Sequence, residues 1–345
     1  MFKKLNENGI YLFHFNRKAS KILFNNIDNL SSKSYDDWQL TMPDILKSSI
    51  KIQNGFEKKS EIVPGSVVIF NICNPWYIEN NLDVFERDDI YKIAYTVESP
   101  NIRHQQQWDY RYLFSRFDYI LTYWEPLLQM FPNKVVYCPF IHRLSFKTND
   151  DEKSLLVNNN VNKKIIMILE NRKFNSEYII NNTKLQSQDY LREEYTNALD
   201  NIKVYGKSWE NYPNQDKVHV LPSRFKHPES IVKYLKDYTF NLVIENTNAE
   251  GYVSEKFYDA LVAGCIPIYI NKGNINDRLD IPKDCYIDGG NMTPKDLNNF
   301  INDMSIDEVN KYKENIVQKR KDILVSVGPC AYDKAVKSVI KLIVS

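Results

Sequence analysis

The chain of 345 residues reads as α/β, with two domains each built on a parallel sheet. Three observations predict this. Short apolar runs of strand length recur in both halves, separated by polar spacers long enough for helices. Residues 240–272, FNLVIENTNAEGYVSEKFYDALVAGCIPIYINK, carry a complete strand–loop–helix–strand unit. Between the halves, residues 147–164 are rich in Asn and charge and read as a linker.

The elements follow in order. In the first half the apolar runs fall at 10–15, 67–72, 93–97, 119–124 and 135–140, which sets a first domain at 1–150. In the second half they fall at 165–169, 202–205, 240–244 and 266–270, within a second domain at 163–325. Near-continuous apolar runs, without alternation, suit strands buried on both faces of a parallel sheet. From Thr293 onward the pattern is helical. A last helix at 326–345 presents a stripe of Val336, Val339, Ile340 and Ile343, an apolar face made for packing, with the first domain as one place for it.

Composition narrows the function classes. A hydrophobic content of 43% supports a sizeable core. The formal net charge is +1, so no global field draws the chain to nucleic acid or to a membrane, and local cations must carry any anion binding. Cys73, Cys138, Cys265, Cys285 and Cys330 form no C-x-x-C pair, and the expectation is free thiols in a reducing compartment. No apolar run reaches transmembrane length, and the N-terminus lacks the apolar stretch of a signal peptide. A soluble, cytoplasmic protein is expected.

Within 240–272, the run 240–244 ends in Glu245-Asn246. A loop then leads to Gly251-Tyr252-Val253-Ser254-Glu255-Lys256. Ser254 is placed as the N-cap, so Glu255 and Lys256 open a helix, and Ala263-Gly264 stops it. Polar groups bunched where a strand hands over to a helix mark the ligand edge of an α/β domain. A lysine at a helix N-terminus favours a phosphate.

This stretch resembles the donor-binding motif of the α1,3/4-fucosyltransferases, glycosyltransferase family 10. Glu245, Asn246, Gly251, Tyr252, Val253, Ser254, Glu255, Lys256, Pro267 and Tyr269 all fall in place. Weaker likeness covers two further segments, about 90–125 and 188–207. The resemblance implies a GT-B architecture: two doubly wound, Rossmann-like domains with a cleft between them. It also implies inverting transfer of L-fucose from GDP-fucose to a hydroxyl of a GlcNAc- or Glc-containing oligosaccharide or glycoconjugate, in an α1,3-type linkage.

Roles follow by matching residues. Glu98, in the segment TVESPNIR, inherits the catalytic base; a Pro at 100 presents the carboxylate at a strand end. Arg192, in DYLREEYTNALDNI, corresponds to an arginine gripping the nucleotide diphosphate, or else is a helix residue paired with a nearby Glu. Lys256 is the second cation for the leaving group, and Asn246 and Glu255 would contact ribose, phosphate or sugar hydroxyls. Tyr252 contacts the donor or packs, and Glu245 anchors the loop through backbone N–H groups. Arg172 competes for the diphosphate, because Glu170-Asn171-Arg172 also ends a strand. The family commonly has Ser-Asn here, and Glu170-Asn171 departs from it. Trp108, Tyr110, Tyr112 and Phe114, just after Glu98, form either an acceptor surface or core packing.

What is missing also decides. The sequence has no D-x-D, no G-x-G-x-x-G and no P-loop. Its five histidines show no metal spacing, so a transferase needing no metal or other cofactor is expected. Two alternatives stay open: another nucleotide-deoxysugar as donor, and an idle glycan- or nucleotide-binding protein.

Overall fold

A computed structural model describes residues 10–15, 50–54, 59–72, 76–96, 110–140, 158–172, 177–221, 228–271, 275, 279–327 and 329–344. The chain forms two compact units, one of Met1–Glu98, Ile102–Pro139 and Pro329–Ser345, the other of Ser99–Asn101 and Phe140–Gly328.

The first unit holds six parallel strands: β1 (Ile10–Phe15), β2 (Ile50–Asn54), β3 (Val67–Asn71), β4 (Tyr91–Thr96), β5 (Tyr119–Thr122) and β6 (Val135–Tyr137), in the order β2-β1-β3-β4-β5-β6. Val67 to Phe70 on β3 and Ile93 to Tyr95 on β4 are all buried, as strands covered on both faces must be. Helices α1 (Tyr110–Ser115) and α2 (Glu125–Met130) fall on the crossovers flanking β5. Phe70, Phe85 and Phe117 pack with ring centroids 5.4 to 6.0 Å apart, mostly edge-on, an arrangement that ring quadrupoles favour.

The second unit has its own six parallel strands: β7 (Ile165–Ile168), β10 (Ile202–Gly206), β11 (Val218–Val220), β12 (Phe240–Ile244), β13 (Ile266–Ile270) and β14 (Ile287–Asp288), in the order β11-β10-β7-β12-β13-β14. An antiparallel hairpin of β8 (Glu177–Ile180) and β9 (Thr183–Gln186) sits between β7 and α3 (Leu191–Ala198). The chain winds outward from β7 through β10 to β11. Helix α4 (Pro228–Leu235) brings it back to β12 on the other side of β7. Helix α5 (Glu255–Ala263) then joins β12 to β13, and α6 (Pro294–Asp303) and α7 (Ile306–Ser326) close the unit. The strand order therefore reverses between β7 and β12, and an open α/β sheet leaves a crevice at such a point beyond its strand carboxyl ends.

Local choices explain these elements. Helix α5 ends at Gly264, whose φ of 71° is left-handed; the Gly264 and Cys265 amides donate back to Leu261 and Ala260 carbonyls. Gly206 ends β10 because a Cβ there would lie 2.0 Å from the Leu169 carbonyl oxygen. Ser305 and Glu308 form a reciprocal capping box that starts α7.

Several sequence expectations change. The hairpin β8–β9 was not anticipated, although Asn181-Asn182, with φ of 47° and 63°, is a two-residue turn that sequence can show. Residues 158–164 are not a free linker. The Asn158 amide donates to the Tyr238 carbonyl and that of Asn160 to the Lys236 carbonyl, while Lys313 donates to Asn158. Asparagine supplies backbone-like donors and acceptors, so a run of it tied to the end of α4 looks, in sequence alone, like a loop. Helix α8 (Pro329–Val344) packs on β5 and β6 of the first unit through Ala335, Val336, Val339 and Ile340.

Candidate functional site

The β12–α5 loop is organised by one carboxylate. Glu245, at the end of β12, is fully buried. Its Oε1 accepts the Ser254 amide at 2.7 Å, and its Oε2 lies 3.5 Å from Lys256 Nζ. Burial pushes the Glu245 carboxyl up from its ordinary range, while Lys256 and the Ser254 amide pull it down. The anchoring role expected for Glu245 is thus present. From the neighbouring strand side, Tyr269 donates its hydroxyl to the Tyr252 carbonyl at 2.6 Å. Asn271 Nδ2 reaches the Ala249 carbonyl at 3.1 Å, and Gly251 turns the loop with a φ of 70°.

Ser254 sits in the N-cap position with extended backbone, yet its side chain makes no capping bond. Its hydroxyl instead accepts from Lys256 Nζ at 2.8 Å. The Lys256 ammonium is therefore held at the first turn of α5 by Ser254 and Glu245, with Glu255 Oε1 at 3.8 Å. The Lys256 side chain keeps 17% of its exposure and that of Glu255 keeps 32%, so both can meet a ligand.

A second strand end joins this one. Gln188 donates its amide N–H to the Asn246 carbonyl, and Ser187 bridges Thr247. Helix α3 then carries Arg192 inward, only 1% exposed. Arg192 Nη1 donates to the Glu170 carbonyl at 2.5 Å, and Nη2 donates to Asn246 Oδ1 at 2.9 Å. Asp189 Oδ1 lies 2.5 Å from the same Nη2. Burial lowers the Arg192 guanidinium to about 10, against the pull of Asp189, and raises the Asp189 carboxyl. Arg192 thus ties the carboxyl end of β7 to that of β12. The expected grip on a diphosphate meets a guanidinium whose Nη atoms are already engaged.

The structure brings Arg192, Asn246, Glu255 and Lys256 together at the β7/β12 reversal. Tyr252 differs: its ring is 1% exposed and packs edge-on against Phe140, 6.3 Å between centroids. Its part in the loop is the carbonyl held by Tyr269. Glu98 and Trp108 lie outside the described residues. Of the aromatic residues after Glu98, Phe114 is buried and Tyr112 is 63% exposed, so that segment splits between core and surface. Gln188 was missed in the sequence because its partners, Glu245 and Asn246, lie far along the chain, and Asp189 because its pairing with Arg192, three residues on, is buried. Among the described residues no group of three or more His, Cys, Asp or Glu could hold a metal ion, and no helix is long and apolar enough to cross a membrane. Cys138, Cys265 and Cys285 are free and buried.

Residues 169–324 match the family model for the C-terminal region of glycosyltransferase family 10 (fucosyltransferase). A putative fucosyltransferase-like protein of Arabidopsis thaliana is 50% identical over 46 residues, which is 13% of this chain and 9% of that protein. The alpha-(1,3)-fucosyltransferase B of Drosophila melanogaster is 25% identical over 137 residues, 38% of this chain and 31% of the relative. The matched stretch thus spans less than a third of either relative's length. The crystal structure of TarM superposes with a TM-score of 0.52 at 11% identity, covering 87% of this chain and 60% of that one. That likeness bears on fold alone: α/β, GT-B-like, with two parallel sheets.

Proposed function

Because residues 169–324 belong to the glycosyltransferase family 10 (fucosyltransferase) C-terminal domain, we propose that this chain transfers L-fucose from GDP-fucose to a hydroxyl of a GlcNAc- or Glc-containing glycan, with inversion and in an α1,3-type linkage. One observation carries the reading. Buried Glu245 holds Ser254 and Lys256 so that a cation and a helix N-terminus stand at the strand-order reversal.

In that reaction the bond between the fucose anomeric carbon and the GDP oxygen breaks. A bond from the acceptor oxygen to the same carbon forms on the opposite face. The acceptor proton passes to a base, the role proposed for Glu98. Charge grows on the departing diphosphate, where Lys256 and the α5 dipole stabilise it without a metal. Asn246 Nδ2 has no hydrogen-bond partner among the described residues and can donate to a sugar or ribose oxygen. Glu255, half-exposed beside it in the motif, can accept from vicinal hydroxyls.

The test is thermal stabilisation of the full chain by GDP, GDP-fucose, GDP-mannose and UDP-sugars, followed by GDP release with a panel of acceptor glycans in the presence of EDTA. Selective stabilisation by GDP and GDP-fucose is expected, with turnover unaffected by the chelator. Stabilisation by a UDP-sugar alone would replace the donor, and strict dependence on added Mn²⁺ would overturn the metal-free account.

A further inference from the structure

The β8–β9 hairpin leaves the carboxyl end of β7 and is fastened to the carboxyl end of β12. Beyond Gln186 its second strand runs on, and residues 186–188 pair antiparallel with 246–248. Gln186 and Asn248 bond to each other twice. The Gln186 amide donates to Asn248 Oδ1 at 2.6 Å, and the Asn248 amide donates to the Gln186 carbonyl at 3.1 Å. Thr247 Oγ1 donates to the same carbonyl at 3.2 Å, and the Gln188 amide to the Asn246 carbonyl at 3.1 Å. An isolated two-stranded hairpin is marginal in water, and a third paired segment is what steadies it. The hairpin therefore crosses the β7/β12 reversal as a braced ribbon.

The two faces of the ribbon differ. One carries Leu185, which is buried. The other carries Glu177 and Ile179 of β8 with Lys184 and Gln186 of β9, because cross-strand partners and residues two apart share a face. Ile179 is 69% exposed, and beside it Lys184 pairs with Glu177 at 2.6 Å, both also exposed. A single exposed apolar side chain is ordinary on a protein surface; one carried on a braced ribbon across a ligand crevice has a defined setting. Glu177 offsets the charge of Lys184, so this face presents no free cation for a phosphate. It offers an aliphatic surface flanked by a carboxylate, an ammonium and an amide. A sugar ring has the complement, a face of C–H groups and a rim of hydroxyls that donate and accept.

We propose that this outward face of the β8–β9 ribbon, with Ile179 at its centre, contacts the acceptor glycan and helps determine which acceptor is used. The inference deepens the fucosyltransferase reading and rests on it for the chemical class of the acceptor. In that reading the diphosphate sits on Lys256 at the strand ends, and the ribbon stands beyond them, where an acceptor approaching the fucose passes. Each strand of the ribbon has four residues and so spans about 13 Å, the scale of a short oligosaccharide. Because the ribbon is braced when the second unit folds, little of the contact energy goes into ordering it.

The experiment compares the full chain with its Ile179→Asp and Ile179→Val variants. It measures fucose transfer from GDP-fucose to N-acetyllactosamine, lactose and chitobiose, calorimetric binding of the same glycans in the presence of GDP, and thermal stabilisation by GDP. Both variants are expected to keep the ligand-free melting temperature, since the side chain is exposed. Ile179→Asp is expected to raise the acceptor KM about tenfold through the lost apolar contact, with kcat and GDP stabilisation kept, and Ile179→Val to stay near wild type. If wild type transfers fucose and Ile179→Asp keeps its acceptor KM, the inference falls and the fucosyltransferase reading stands. Loss of GDP stabilisation in Ile179→Asp at unchanged acceptor KM puts the ribbon on the donor side and also overturns the inference. If wild type binds a glycan but transfers no fucose, and Ile179→Asp loses that binding, the inference stands and the fucosyltransferase reading falls. A wild type that neither binds nor fucosylates any of the three glycans overturns both.

Discussion

In the first unit the strand order reverses between β1 and β3; in the second it reverses between β7 and β12. In the first unit, β4 and β5 end in small, uncharged polar groups, Thr96 and Thr122. Thr122 accepts the Trp124 amide at 3.1 Å, and Thr96 buries a hydroxyl with no hydrogen-bond partner among the described residues. At the ends of β7 and β12 stand Glu170, Asn171, Arg172, Glu245 and Asn246, joined by Asp189, Arg192 and Lys256. Apolar burial is non-directional, so the first sheet can be built from many apolar sequences. A buried charge demands a partner of opposite sign at a set distance and angle, so the second sheet prints its requirements into the sequence. The family match lies wholly within the second unit, at 169–324.

That contrast can be broken or sharpened by substitution. The largest effect is expected at Glu98, which follows β4 in sequence. Glu98→Gln should cut turnover about a thousandfold, the middle of the range for loss of a general base, while GDP still stabilises the protein. An equal loss of GDP stabilisation would move Glu98 to the donor side. Next comes Glu245→Ala, which strands the Ser254 amide and the Lys256 ammonium. A loss on the order of 3–5 kcal/mol is expected in urea unfolding, as for one partner removed from a buried ion pair. A loss below about 1 kcal/mol would show that the loop stands without its carboxylate. The smallest effect belongs to the first unit. Thr96→Val removes a buried hydroxyl with no hydrogen-bond partner among the described residues, and should be neutral or stabilising by under about 1 kcal/mol. A clear destabilisation there would mean that the first sheet also depends on directional contacts.

The sequence revealed the second unit's ligand edge because short-range features define it. The β12 run, the glycine at the loop, Ser254 at the N-cap position and Gly264 at the stop all lie between Phe240 and Gly264. It concealed what depends on distance. Arg192 reads in sequence as a diphosphate-gripping arginine or as a solvated helix residue, yet Leu191, Arg192, Tyr195 and Thr196 form the buried stripe of α3, and the arginine is inside it. That spacing was visible; the carbonyl and amide awaiting the guanidinium on β7 and β12 were not. Asn158 and Asn160 hid for the opposite reason, since their polarity suggested solvent while their partners are the carbonyls at the end of α4. The hairpin β8–β9 fell between the strand and helix templates, being short and half polar.

The loop between β12 and α5 is held at three separated points, by Glu245, Tyr269 and Asn271. Its conformational entropy is therefore surrendered when the second unit folds and not when a ligand arrives. A donor meets a surface already in shape, and little of its contact energy is diverted to ordering the loop. Affinity there should depend on which groups face outward, and selectivity is settled before encounter. Moving the loop would also disturb β13, so closure over a bound donor falls to other segments of the chain.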